Sequence, residues 1–177
     1  MKLAPSFKRR CEAIAVDQRY RLGLRPFDPL SAEKLLIAIG GEAKSPDQIP
    51  NMPPNSVANL LNAIDWSAGI IRRNPLLIVY HPAYPPARHQ SNLMHEIAHI
   101  LLNHPMIGFD SITGLPLRDL HCEDEAVYLG GCLQIPRLAL QWALQKSYNV
   151  ARIATYFNAS ESMVVFRCNM MNMKLAE

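Results

Sequence analysis

Between Asn92 and Asn103 the chain reads N-L-M-H-E-I-A-H-I-L-L-N, an apolar run that no proline or glycine interrupts. Leu93, Met94, Ile97, Ala98, Ile100, Leu101 and Leu102 predict a helix over about 87–104 that is apolar nearly all round and therefore buried. That helix constrains the fold, because it carries His95, Glu96 and His99 inward, and two imidazoles and a carboxylate are costly to bury without a compensating partner. A metal ion is such a partner. Residues four apart lie on one helical face, so both imidazoles reach one point and can share an ion at about 2.0–2.1 Å. Glu96 is turned about a hundred degrees further round. It can touch a water on the metal but is poorly aimed as a ligand, which is the geometry of a general base.

Catalytic zinc usually takes three protein ligands and keeps one position open for water. The best source of a third is His121-Cys122-Glu123-Asp124-Glu125-Ala126. Glu123 shares a helical face with Ala126 and Gly130, small residues suited to packing on the metal helix, and is favoured; Glu125 and then His121 are the alternatives, and Cys122 is a weaker metal candidate. His104, five residues past His99, is expected to turn away from the metal and to fix the loop that begins at Pro105. His81, His89, Tyr80 and Tyr84 are not placed by spacing. The chemistry implied is metal-assisted hydrolysis with Glu96 as base.

A chain of 177 residues, 49% of them hydrophobic, can bury one core, and it reads as a single unit: about 1–146 as the core bearing the site and about 147–177 as a helical tail. The net charge of +3 is too small and too scattered for a nucleic-acid-binding stripe, and Lys8, Arg9 and Arg10 read as the solvated face of a first helix. No apolar h-region follows the N-terminal cations and no run is long enough to cross a membrane, so neither secretion nor membrane insertion is expected. Cys11, Cys122, Cys132 and Cys168 never form C-x-x-C, which fits reduced thiols in the cytoplasm.

Along the chain, Cys11, Ile14, Ala15, Gln18 and Leu22 predict a first helix over 7–22, ending at Gly23. Ser31 is the expected N-cap of a second, stopped by Gly40-Gly41. The segment 45–54 reads as a loop or irregular edge strand; Val57, Leu60, Leu61 and Ile64 then repeat at helical spacing. Ser67–Ile71 and Leu76–Tyr80 read as two strands joined by a turn at Arg72–Pro75. A loop is expected from Pro105 to Leu120, then helices from His121 onward with a break at Pro136. Residues 150–169 read as helix, tight turn, helix, with Ser160 capping the second. That second helix offers Arg167 and, beyond it, Lys174 as cations among apolar side chains, so protein docking is favoured over DNA reading. The fold class expected is α+β, helices dominant, with a small sheet.

These residues resemble the ImmA/IrrE-type family of metallopeptidases over most of the chain. The resemblance rests on Leu22, Gly23, Asp28, Pro29 and Leu30, on the strand Leu76 to Tyr80, on Arg88, on His95 to His99 and on the trailing Leu101, Leu102 and His104. The family's later E-x-E/Q-A phrase aligns with Glu123 to Pro136, with Val127, Leu129 and Gln134 departing from the usual residues. The resemblance implies a zincin-like domain with Glu123 as third zinc ligand, a C-terminal helix-turn-helix-like segment, and a protein substrate, a helix-turn-helix repressor of a stress, mobile-element or toxin–antitoxin operon. The competing reading is a regulatory binding module that keeps the metal fold and sequesters a partner, as an antitoxin does. Direct nucleic-acid binding ranks last.

Overall fold

The computed structural model describes residues 3–63, 66–105, 108 and 119–174. The loop expected from Pro105 to Leu120 lies mostly outside them, as does Ile64. Helix α1 (Pro5–Arg21) starts on a proline, whose fixed φ suits a first turn, and turns Cys11, Ala15 and Gln18 inward as their spacing predicts. The Ser31 side chain accepts from the Lys34 amide to start α2 (Ala32–Ala38), and Gly40, at φ +82°, ends it.

Among the described residues the sheet has three strands, not two. β2 (Ala68–Arg73) and β3 (Leu76–Tyr80) form the expected antiparallel pair, and β1 (Gly41–Lys44) adds parallel to β3, giving the order β1-β3-β2. β1 is four residues, G-E-A-K, with no apolar alternation to announce it. Gly41 packs closely there, because a Cβ would lie 2.5 Å from Leu36 Cδ1 and 2.8 Å from Leu76 Cδ2 and those leucines would have to shift. The segment after β1, expected as loop or edge strand, opens with a short 3₁₀ turn, Pro46–Gln48, in which Gln48 accepts from the Ser45 amide. Helix α3 (Pro54–Asn62) buries no residue and stays on the surface.

The central β3 is buried at Leu76, Leu77, Ile78 and Val79, and α4 (Pro86–Leu101) packs against it with Leu93, Met94, Ile97 and Ala98. Helix α5 (Leu120–Gln134) lies between α4 and α1, and every residue from Tyr128 to Gln134 is buried. After the expected break at Pro136 come α6 (Arg137–Gln145), α7 (Val150–Tyr156) and α8 (Glu161–Met171). Ser160 accepts from the Met163 amide at 3.1 Å, the cap its position predicts. These three helices enclose a second apolar cluster of Ile135, Leu140, Ile153, Phe157 and Val164. The molecule is thus α+β with helices dominant among the described residues.

Two arginines are fully buried where α5 ends. Arg19 of α1 donates to Leu133 O (2.9 Å), Gln134 O (3.2 Å), Asp28 O (3.0 Å) and Ala15 O (3.0 Å). Arg167 of α8 donates to Ile135 O at 2.9 Å and to the Glu12 carboxylate, which also accepts from the Arg137 amide at 2.7 Å. The last carbonyls of a helix have no partner within it and carry its negative pole, so buried guanidinium groups both satisfy and neutralise that end. Burial draws the Arg19 guanidinium down to about 10, where it is still cationic at neutral pH. Arg19→Met, which keeps the packing but strips the donors, is expected to cost about 3 kcal/mol of unfolding free energy in urea titration.

Candidate metal centre

The geometry of the site follows from how closely α4 and α5 approach. Gly130 lies against the backbone of α4, where an added Cβ would sit 3.3 Å from His95 N, His95 Cα and Met94 O. Gly131, on the next face, faces Arg167 and Phe166 of α8. Two glycines cost a helix interior about 1 kcal/mol each relative to alanine. At Gly130 that cost is offset by the contact that brings the start of α5 alongside His95. Asp119 caps α5, accepting from the amides of His121 (2.8 Å) and Cys122 (3.1 Å), and so fixes the turn that carries Glu123.

His95 and His99 direct Nε2 towards the same point, 3.1 Å apart. Glu123 closes the triangle with Oε2 3.2 Å from His95 Nε2 and Oε1 3.4 Å from His99 Nε2. A tetrahedral centre with ligand bonds of 2.0–2.1 Å has ligand–ligand edges of about 3.3–3.4 Å. The His95–His99 separation is close to such an edge and both Glu123 oxygens lie at similar range, so two imidazoles and a carboxylate converge as the donor set of a zinc-sized ion requires. The two imidazoles also hold the Glu123 carboxyl far below the usual carboxylate range, leaving it anionic, as an oxygen ligand must be. Among the described residues these three side chains are the group of histidine, cysteine and acidic residues close enough together to hold a metal. Glu96, the next residue of α4 after His95, is half-buried.

The other candidates are placed differently. Glu125 does not face the triangle; its Oε2 lies 3.0 Å from His104 Nε2 and its Oε1 3.3 Å from His121 Nε2. His121 is on the solvent side of α5, its side chain 74% exposed. Cys122 stays outside the cluster, a free thiol whose pKa burial raises. His89 lies edge-on to Tyr80 at 4.4 Å, and His81 packs with Trp66 and Tyr84, so none of these joins the metal group.

His104 departs from expectation. Its Nδ1 is 2.9 Å from His99 Nδ1, so it touches the ligand ring instead of turning away. The helical-wheel argument presumes that α4 continues to 104, whereas it ends at Leu101. Asn103 adopts φ +56°, its amide bonds Ile100 O and the His104 amide bonds His99 O, both at 3.0 Å. That is a Schellman cap, which folds the residue after the left-handed position back over the last turn. An asparagine directly before His104 was the available signal. Burial holds the His104 pKa below the usual imidazole value, against the opposing pull of Glu125.

Beside His95 a groove of about 390 Å³ runs between α4, α5 and α8, lined by Arg88, Asn92, Val127, Met163 and Phe166 among others. Val127, where the family phrase has Asn or Asp, forms part of this wall. Gln134, another departure, is buried; it accepts from Ser91 Oγ at 2.9 Å and donates to Asn158 O at 2.8 Å, tying α4 and α5 to the turn before α8.

Paired histidines on one helix with a glutamate from the next offer the two-histidine, one-glutamate donor set of some catalytic zinc sites. The sequence profile of the IrrE N-terminal-like domain, Peptidase M78, matches residues 63–169. The chain belongs to that family. No curated protein matches the sequence. Among solved structures, a Mycobacterium tuberculosis transcriptional regulator shares the fold with a TM-score of 0.57 at 12% identity. The match covers 94% of this chain and 47% of the regulator, so the chain spans about half that protein's length.

Gly130→Ala is expected to push α5 off α4, because the atoms facing the new methyl are backbone and cannot rotate away. Urea denaturation is expected to register a loss of about 1–3 kcal/mol, as for other overpacked seams.

Proposed function

We propose that the protein is a zinc-dependent, zincin-like metallo-endopeptidase that hydrolyses a peptide bond in a protein regulator. The observation that carries this reading is the convergence of His95 Nε2 and His99 Nε2, 3.1 Å apart, on the Glu123 carboxylate, whose Oε2 lies 3.2 Å from the first and Oε1 3.4 Å from the second. In it His95, His99 and Glu123 hold the ion and Glu96 is the general base. When bound there, zinc supplies a Lewis acid that acidifies a water and polarises the scissile carbonyl. Glu96 takes the water's proton on a carboxylate oxygen and delivers it to the leaving amine nitrogen. His95 and His99 offer lone pairs on Nε2, which leaves the hydrogen of each neutral ring on Nδ1. The groove beside His95 receives the substrate backbone, with apolar side chains set against Met163 and Phe166.

The family and the likeness to a chain named as a transcriptional regulator support a substrate among protein regulators. We infer a DNA-binding repressor of a stress, mobile-element or toxin–antitoxin operon, cleaved in the cytoplasm. Residues 1–146 act as the catalytic core and 147–177 as a helix-turn-helix-like tail that docks protein. Arg167 is fully buried against Glu12 and Ile135, which leaves the exposed Lys174 as the other cation named for DNA contact. No helix among the described residues is long and apolar enough to cross a membrane.

Glu96→Gln tests the mechanism. It is expected to keep about one zinc per chain by elemental analysis and to lower cleavage of a co-encoded repressor by roughly 10²–10⁴-fold. Cleavage at the wild-type rate would reject Glu96 as base. Full biological effect in cells without cleavage would favour sequestration of a partner. His95→Ala and Glu123→Ala are expected to lose the zinc itself.

A further inference from the structure

His104 and Glu125 form the second group of titratable side chains around the cluster, and the reading of His95, His99 and Glu123 assigns them no task. Their arrangement is closely restrained. The His104 backbone is held by the Schellman cap, and its carbonyl accepts from the Arg73 guanidinium of β2. Its ring stands edge-on to His99 at 5.0 Å, and the residue is 6% exposed. A side chain that only closed a loop would not need both ring nitrogens engaged, yet Nδ1 meets His99 Nδ1 at 2.9 Å and Nε2 meets Glu125 Oε2 at 3.0 Å.

Hydrogen placement then has one solution. With the His99 Nε2 lone pair turned to the ion, its hydrogen sits on Nδ1. Two N–H groups cannot face each other at 2.9 Å, so His104 Nδ1 is the acceptor. A neutral His104 therefore carries its hydrogen on Nε2, where it donates to Glu125. The result is a directed chain: His99 Nδ1–H to His104 Nδ1, then His104 Nε2–H to the Glu125 carboxylate. Ligand histidines usually pass their second N–H to a carboxylate or carbonyl, which fixes the ring and makes the ligating nitrogen more basic. Here an imidazole stands between ligand and carboxylate.

We propose that His104 and Glu125 are positioning residues that lock the tautomer and ring plane of His99, and so set the affinity of the site for zinc. The proposal rests on the metal reading of the cluster. It also explains why Glu125 faces away from the triangle, since its carboxylate serves the far end of the chain.

The test measures zinc affinity of the full chain by chelator competition, with no use of peptidase activity. His104→Ala and Glu125→Ala are each expected to weaken zinc by about 10–100-fold. His104→Asn is expected to recover part of the loss, because its amide oxygen can take the place of Nδ1 as acceptor while the link to Glu125 is lost. Nitrogen-15 imidazole spectra of zinc-loaded wild-type protein should show His104 with its hydrogen on Nε2 and His99 with its hydrogen on Nδ1. Should His104→Ala fail to fold, Glu125→Ala and the wild-type spectrum still decide the matter. Zinc bound by wild type and by both alanine variants within twofold would overturn the proposal alone, as would a spectrum with the hydrogen on His104 Nδ1. Wild-type protein that takes up no zinc would overturn the metal reading and this proposal together.

Discussion

The carbonyl oxygens at the end of α5 are the groups on which the rest of the structure depends. Leu133, Gln134 and Ile135 turn these oxygens into the interior, where Arg19 and Arg167 meet them. Without those guanidinium groups the helix would end in orphaned acceptors with its negative pole buried. With them, α5 is clamped from both sides at one end, by α1 and by α8. The opposite end of the same helix presents Glu123. A helix is stiff over its fifteen residues, so anchoring its far end restricts where its first turn can lie.

Close approach does the remaining work. Gly130 allows α5 to lie on the backbone of α4 beside His95, and the cap at Asp119 sets the turn from which Glu123 projects. The Schellman cap at Asn103 performs the matching task on α4, returning His104 to the ring of His99. The His95–His99–Glu123 cluster is therefore the meeting point of two helix termini, each closed by its own local device. Gln134, bridging Ser91 and Asn158, links that scaffold to the tail.

Where local chemistry decides, the sequence was readable. Residues four apart share a face, which is why His95 and His99 lie side by side, and the small residues Ala126 and Gly130 mark the face of α5 from which Glu123 approaches them. Ser31 and Ser160 start helices because a hydroxyl accepts an orphaned amide. What escaped depends on distant partners or on an assumed continuation. β1 carries no apolar alternation, and it is a strand because β3 offers it an edge. The burial of Arg19 and Arg167 has no sequence signal either, since nothing local reveals the carbonyls and the carboxylate that receive them. His104 was misplaced because angular counting holds only while the helix lasts.

The contacts that hold α5 in place are also far apart along the chain: Arg19 reaches residues 114 and 115 positions later, and Arg167 reaches back 155 to Glu12. During synthesis from the N-terminus, Glu12 must wait solvated until α8 has left the ribosome. The residues of α4 emerge well before that, ahead of the α5 partner they pack against. A chain built this way brings out the residues of the His95–His99–Glu123 cluster early but clamps the helix that carries Glu123 from both sides only once α8 has joined it.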